Sequence, residues 1–134
     1  MTSVLLRHAS AGDRDDWDGD DEHRPLDGRG HRQAAALVEL LRPLGIRRVV
    51  SSPYVRCVET VEPLALALGL PVEQDRRLAE GAGRAALELL RENGVACCTH
   101  GDVVEAVLGH GLKKAAAAVL EDGNVVREIP APKI

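Results

Sequence analysis

Three short segments of the chain carry side chains suited to binding an anion. Arg7 and His8 directly follow a short apolar run near the amino terminus. Arg56 lies shortly after a Ser-Ser-Pro sequence, and His100 follows a second, nearly continuous apolar run. A guanidinium can donate two parallel hydrogen bonds to the oxygens of a phosphoryl group, and a neutral imidazole is a nucleophile near neutral pH. The three segments therefore indicate a site for a phosphoryl group.

Alternating strand and helix patterns must position these side chains. The apolar spacing predicts strands over 3–6, 46–50, 71–74 and 95–99. It predicts helices from the N-cap Asp27 to Pro43, from Ser52 to Gly69, over 84–92, and from Gly101 to His110. This alternation favours an α/β fold, a three-layer sandwich whose mainly parallel central sheet has helices on both faces. Ligands of such folds bind at the carboxyl ends of the strands, where all three segments fall.

Three finer features follow from local patterns. Ser52 is the predicted N-cap of the second helix, with Pro53 at its first position, so that Arg56 lies near a helix end that attracts anions. His110 has the spacing of a buried residue on the apolar face of the last helix. The segments 115–120 and 125–129 are predicted to form a hairpin with a turn of three to four residues.

The motifs occur in the order typical of one known family. The chain resembles the histidine phosphatase superfamily, with its phosphoglycerate-mutase-like fold, and within it the short SixA-like phosphohistidine phosphatases. The residues that carry the resemblance are Arg7-His8, Arg24-Pro25-Leu26, Gly30, Gln33-Ala34, Arg56 and His100.

The resemblance implies a role for each site residue. His8 would be the nucleophile and His100 a second catalytic histidine, while Arg7, Arg56 and His100 would bind the phosphoryl group. The proton donor would be Glu80, which follows the third strand. The first loop offers alternative acids: Asp13, Asp15 and Glu22.

Three further residues are candidates for the mouth of the site. Ser10 either donates to the phosphate or closes the turn after His8, and we favour the turn. His23 is typical of a surface residue, but it adjoins Arg24, so both are predicted at the mouth.

Composition sets the class of protein. The 134 residues fit one domain, residues 1–134, and carry 17 basic and 21 acidic side chains, for a net charge of −4. That charge argues against nucleic-acid binding, and Trp17 and Tyr54 are too few for a nucleic-acid stacking platform. Three cysteines, no secretory signal pattern and no membrane-spanning apolar stretch indicate a reduced, cytoplasmic protein that contacts no membrane.

A metal-independent phosphatase with a phosphohistidine intermediate is the first hypothesis. The predicted substrate is a phosphorylated protein, above all protein phosphohistidine, or a small phosphomonoester. Similar chains also occur fused to Nudix hydrolase domains, so nucleotide-derived phosphates, and a separate Nudix or phosphorelay partner, stay open.

Two non-enzymatic alternatives compete with this hypothesis. One is a metal-binding protein built from His8, His23, His100 and the cysteines, but no Cys-x-x-Cys or His-x-x-x-His occurs and Arg7 repels a cation. The other is a phosphate-sensing module without activity. We expect no metal and no cofactor.

Overall fold

Six strands and three α-helices make up the fold in the computed structural model, which describes residues 1–134. The strands are β1 (Thr2–Arg7), β2 (Arg48–Ser51), β3 (Val72–Gln74), β4 (Val95–Thr99), β5 (Ala117–Glu121) and β6 (Asn124–Ile129). The helices are α1 (Gly28–Leu41), α2 (Val55–Leu68) and α3 (Gly101–Leu108). None of the helices combines the length and the apolar composition that a membrane span requires.

The strands form one sheet in the order β3-β2-β4-β1-β5-β6. The first four strands in chain order are parallel to one another. β5 runs antiparallel to both of its neighbours, β1 and β6. Arg7 pairs with Thr99, and Ser51 pairs with Cys98, so β1, β2 and β4 end side by side. The predicted mainly parallel sheet is confirmed.

Packing on both faces of the sheet makes the predicted three layers. α1 and α2 cover one face, where Leu37 and Val61 pack in the same cluster as Cys98. α3 and short 3₁₀ turns cover the other face, where Val103 shares a cluster with Cys97. The two adjacent cysteines thus face opposite ways, as β geometry requires. Burial raises the pKa of Cys97 to about 12, so it is a core residue rather than a reactive thiol.

α2 begins later than its sequence pattern predicts. Its N-cap is Tyr54 and its first residue is Val55, so Ser52 is not the cap and Pro53 lies outside the helix. The Ser52 hydroxyl instead accepts the Tyr54 N–H at 3.2 Å and turns towards His100. A tertiary contact therefore overrides the local capping signal.

The predicted helix over 84–92 is wrong. Two 3₁₀ turns, Ala85–Leu87 and Leu89–Arg91, occupy the segment, and neither has a side-chain cap. So short a helix without caps is marginal, because few hydrogen bonds offset the cost of ordering the backbone. Burial of Ala86 and Leu89 against the sheet fixes the turns instead.

Two further expectations need correction in the last third of the chain. α3 ends at Leu108, and its C-cap Gly109 has a φ of +81°, so His110 lies beyond the helix. His110 is half exposed and contacts Glu128 at 2.9 Å, rather than packing in the core. The hairpin forms, but its turn has only two residues, Asp122 and Gly123, both with positive φ as in type I′ turns.

Candidate active site

A polar cavity of about 530 Å³ opens where the parallel strands end. Arg7, His8, Arg56 and His100 line it together, so the structure gathers the four principal residues expected from the sequence. No apolar side chain lines the cavity. An anion is the ligand that such a wall favours.

The loop after β1 is held tightly to both helices of its face. The Ala9 N–H donates to Thr60 Oγ1 at 3.0 Å, and the Ser10 N–H donates to Gln33 Oε1 at 2.9 Å. A Cβ on Gly30 would lie 1.9 Å from the Ser10 carbonyl oxygen, so no larger residue fits there. These contacts fix the backbone that carries His8.

His8 is a buried, neutral imidazole with one nitrogen free. Its Nδ1 lies 2.8 Å from the carbonyl oxygen of Ala9, and since a carbonyl only accepts, Nδ1 carries the proton. Nε2 therefore keeps its lone pair. Burial lowers the pKa of His8 to about 3, and the positive charges near it, including that of Arg56, act in the same direction. The imidazole is thus neutral across the physiological pH range.

His100 contacts His8 edge to face, with ring centroids 5.5 Å apart. Its Nε2 lies 2.9 Å from Ser52 Oγ and 3.5 Å from Cys57 Sγ. Ser52 Oγ accepts the Tyr54 N–H and can donate its own hydrogen to Nε2 of a neutral imidazole. In that arrangement the proton of His100 lies on Nδ1.

Arg7 is anchored at one end of its guanidinium. Nη1 donates to the carbonyl oxygen of Leu112 at 2.8 Å. A Cβ on Gly101 would lie 3.0 Å from Arg7 Cζ, so the glycine allows α3 to begin against the guanidinium. The sequence shows Gly101 only as a helix start, not as a packing requirement.

Arg56 is 1% exposed and is held by the first loop and by the segment after β3. Nη1 donates to the carbonyl oxygen of Asp21 at 2.8 Å, and Nη2 donates to Asp21 Oδ2 at 3.0 Å. Nη2 also lies 3.3 Å from Glu80 Oε2, and the guanidinium carbon stands 4.9 Å from the centre of the Tyr54 ring. The guanidinium is therefore fixed before any ligand arrives.

Three buried nitrogens at the site have no hydrogen-bond partner in the protein. They are Arg7 Nε, Arg56 Nε and His100 Nδ1. A buried donor left unpaired costs roughly 1–3 kcal/mol, so proteins rarely carry three close together. All three belong to residues that line one cavity. The unpaired nitrogens therefore cluster on the residues that surround this cavity.

Asp21 organises the arginines, and sequence reasoning missed it. Its carboxylate accepts from Arg24 Nε at 2.9 Å, from Arg56 Nη2 at 3.0 Å and lies 3.4 Å from Arg14 Nε. Burial opposes its charge, but the hydrogen bond from Arg24 and the charges of Arg56 and Arg14 keep the pKa of Asp21 below its usual value. The i,i+3 spacing to Arg24 is the only sequence signal of this role.

Only two of the four candidate proton donors lie at the cavity. Glu80 and Asp13 line the cavity, whereas Asp15 and Glu22 do not. Glu80 contacts Arg14 Nη2 at 2.7 Å as well as Arg56, so its carboxylate bridges two guanidinium groups at the rim.

The candidates for the mouth also separate. Arg24 lines the cavity, but its Nη1 donates to the Ala11 carbonyl oxygen at 2.5 Å and its Nε to Asp21, so it supports the loop. Ser10 donates to Asp27 Oδ2 at 2.8 Å and closes the turn. His23 is exposed and does not line the cavity, so its expected position at the mouth is wrong.

No group of three or more His, Cys, Asp or Glu side chains is arranged to hold a metal ion.

The sequence profile of the histidine phosphatase superfamily (branch 1) matches residues 3–86. The chain belongs to the histidine phosphatase superfamily. It is also 33% identical over 132 residues to the 8-oxo-(d)GTP phosphatase of Mycolicibacterium smegmatis, a match that covers 92% of this chain. The match covers only 41% of that relative, so the chain spans about two fifths of its length.

Solved structures support the same fold. The protein histidine phosphatase SixA, complexed with tungstate, superposes with a TM-score of 0.74 at 25% identity and covers 97% of both chains. A mycobacterial glucosyl-3-phosphoglycerate phosphatase complexed with VO₃ superposes with a TM-score of 0.71 at 18% identity and covers 95% of both chains. The α/β sandwich predicted from the sequence is the fold of this family.

Proposed function

We propose that the protein is a metal-independent phosphatase that works through a phosphohistidine formed on His8. The observation that carries the proposal is the neutral His8, with Nε2 free of any partner, in a cavity that Arg7, Arg56 and His100 also line. A neutral imidazole with a free Nε2 is a nucleophile, and fixed donors around it stabilise the charge that spreads over the phosphoryl oxygens.

In the first step Nε2 of His8 attacks phosphorus, and the bond from phosphorus to the leaving group breaks. Arg7, Arg56 and His100 donate hydrogen bonds to the non-bridging oxygens throughout. Glu80, which lines the cavity beside Arg56, is the proposed proton donor to the leaving oxygen or nitrogen. For this role its carboxylate must leave the two guanidinium groups and take up a proton before the step. Asp13 is the alternative donor, because it lines the same cavity.

In the second step water attacks the phosphohistidine. The bond from phosphorus to Nε2 breaks, inorganic phosphate leaves and the carboxylate that gave up its proton recovers one from the water. His8 returns to its neutral form with the proton on Nδ1. Neither step needs a metal, because the guanidinium groups supply the positive charge.

The proposed substrate is a phosphorylated protein side chain or a small phosphomonoester. Likeness to the SixA protein histidine phosphatase supports phosphohistidine. Likeness to an 8-oxo-(d)GTP phosphatase supports a nucleotide-derived phosphate as the second candidate.

Trapping the intermediate tests the mechanism. Turnover of a phosphomonoester is stopped rapidly without acid, and the peptide that contains Arg7-His8 is examined for phosphate that survives alkali and is lost in mild acid. The same treatment of His8→Ala is the control, and turnover is repeated in excess chelator. Phosphate on a cysteine, or activity that chelation abolishes and a divalent ion restores, would overturn the proposal.

A further inference from the structure

A second concavity of about 360 Å³ adjoins the catalytic cavity. The two share Gly12, Asp13 and Arg24 as walls, so a ligand whose phosphate lies near His8 can extend into the second concavity without leaving the protein surface. We call this concavity the Trp17 groove, after the aromatic residue that lines it.

Trp17 is the only tryptophan of the chain and is 38% exposed. Its indole N–H donates to the carbonyl oxygen of Asp20 at 2.9 Å, and a Cβ on Gly19 would lie 3.3 Å from the same nitrogen. Its backbone N–H donates to the Arg14 carbonyl oxygen at 3.2 Å. The ring is thus held by its polar edge, while much of its apolar surface stays open to water.

Apolar and acidic groups share the rest of the groove. Pro25 and Leu26 add apolar wall beside the indole. Asp13 and Asp16 are exposed and stand at the same groove, and the Asp16 carboxylate forms no hydrogen bond or ion pair within the protein. A group that suits this groove has a flat apolar face and hydrogen-bond donors on its edge.

Charge is distributed in opposite senses along the two connected concavities. The catalytic cavity is lined by five basic and three acidic side chains, and two of the basic ones, Arg7 and Lys114, form no ion pair within the protein. The Trp17 groove offers carboxylates to donors, and its one cation, Arg24, is bound to Asp21. A ligand that fits both is anionic at one end and carries N–H groups at the other.

We infer that the Trp17 groove binds the base of a nucleoside phosphate, in particular a guanine-type base, while the phosphate occupies the catalytic cavity. The base stacks on the indole of Trp17, and its ring N–H and amino group donate to the carboxylates of Asp13 and Asp16. A single base needs one stacking surface, so the scarcity of aromatic residues that argues against nucleic acid does not argue against a mononucleotide. The inference rests on the proposed phosphatase activity, since it names the leaving group of that reaction.

Kinetic discrimination between GMP and ribose 5-phosphate tests the groove, because the two share a phosphate and a sugar and differ in the base. We expect kcat/KM to be about tenfold higher for GMP, which is the scale of one stacked base. In Trp17→Ala the ratio of the two kcat/KM values falls about tenfold, chiefly through KM for GMP, whereas Trp17→Phe keeps most of it. Asp16→Ala, which leaves the indole in place, also lowers the ratio.

Leu66→Ala is the control, because Leu66 is an 84% exposed apolar residue that lies outside both concavities. It keeps the wild-type ratio. A ratio unchanged in both Trp17→Ala and Asp16→Ala would overturn the inference.

Fluorescence gives a readout that needs no turnover. Because Trp17 is the only tryptophan, its emission reports directly on the groove. GMP is expected to quench it saturably, after correction with tryptophan amide, and ribose 5-phosphate is not. Saturable quenching without hydrolysis of either compound would refute the phosphatase proposal and support the groove. Equal hydrolysis of GMP and ribose 5-phosphate without quenching would support the phosphatase proposal and refute base binding in the groove.

Discussion

The hydroxyl of Ser52 lies 2.9 Å from Nε2 of His100 and orients that ring from behind. We infer that Ser52 Oγ, which accepts the backbone N–H of Tyr54, donates its own hydrogen to the imidazole. The relay leaves Nδ1 of His100 as the donor that meets a phosphoryl oxygen. Ser52 is therefore a positioning residue that acts through His100.

Ser52→Ala is expected to lower kcat for a phosphomonoester about fivefold, because one oriented hydrogen bond contributes on the order of 1 kcal/mol. Ser51→Ala is the matched control: Ser51 is equally buried, but its hydroxyl donates to the Ser52 carbonyl oxygen and does not contact His100. Nitrogen NMR of the imidazole should find His100 protonated on Nδ1 in the wild type and a mixture of tautomers in Ser52→Ala. Equal losses in both serine variants would argue for a general packing effect.

His8→Ala is expected to abolish turnover while the fold stays intact. The imidazole makes one hydrogen bond to its own neighbouring backbone, so the substitution removes the proposed nucleophile and little else. Activity is measured with a phosphomonoester, and folding by circular dichroism. His110→Ala, which removes a half-exposed imidazole bound to Glu128, should keep full activity. Turnover near the wild-type rate in folded His8→Ala would contradict the mechanism.

Arg56→Ala should lower kcat/KM. The loss of transition-state stabilisation is expected to be on the order of a few kcal/mol, as for the loss of a preorganised oxyanion donor in other enzymes. Asp21→Asn should cause a smaller loss, because it removes the negative charge that holds the Arg56 guanidinium at 3.0 Å. If Asp21 acts through Arg56, most of its effect vanishes in the Arg56→Ala background. Fully additive losses in the double variant would show that the two act independently.

Acid should destabilise the protein through His8. The pKa of His8 is about 3 in the folded chain, against about 6.5 for an unperturbed histidine, so the unfolded state binds more protons between these values. Stability from this group is therefore present above about pH 6.5 and is lost as the pH falls towards 3, with a slope approaching about 1.4 kcal/mol per pH unit. Urea titrations at about pH 6 and about pH 5 measure how the free energy of unfolding changes with pH. Both pH values lie above the range in which ordinary carboxylates titrate. In His8→Asn the slope should flatten, and an unchanged slope would mean that His8 is not buried as a neutral group.

Local patterns in the chain determine where the principal side chains stand. Arg7 and His8 end an apolar strand, and His100 ends another, and such boundaries are visible in short windows of sequence. Parallel strands bring their carboxyl ends to one edge, so the pattern alone predicts that these residues meet. Cys97 and Cys98 lie in the core, since a continuous apolar strand of a parallel sheet is buried on both faces.

The tertiary structure decided how those side chains are held and charged. Thr60 supports the backbone beside His8 from 51 positions away, and Asp21 reaches Arg56 across 35 positions. Ser52 is not the predicted helix cap; its hydroxyl contacts His100, 48 positions further on. A window of sequence records local periodicity, whereas the protonation of His8, the tautomer of His100 and the fixation of Arg56 depend on burial and on contacts between distant segments, which exist only once the chain has folded.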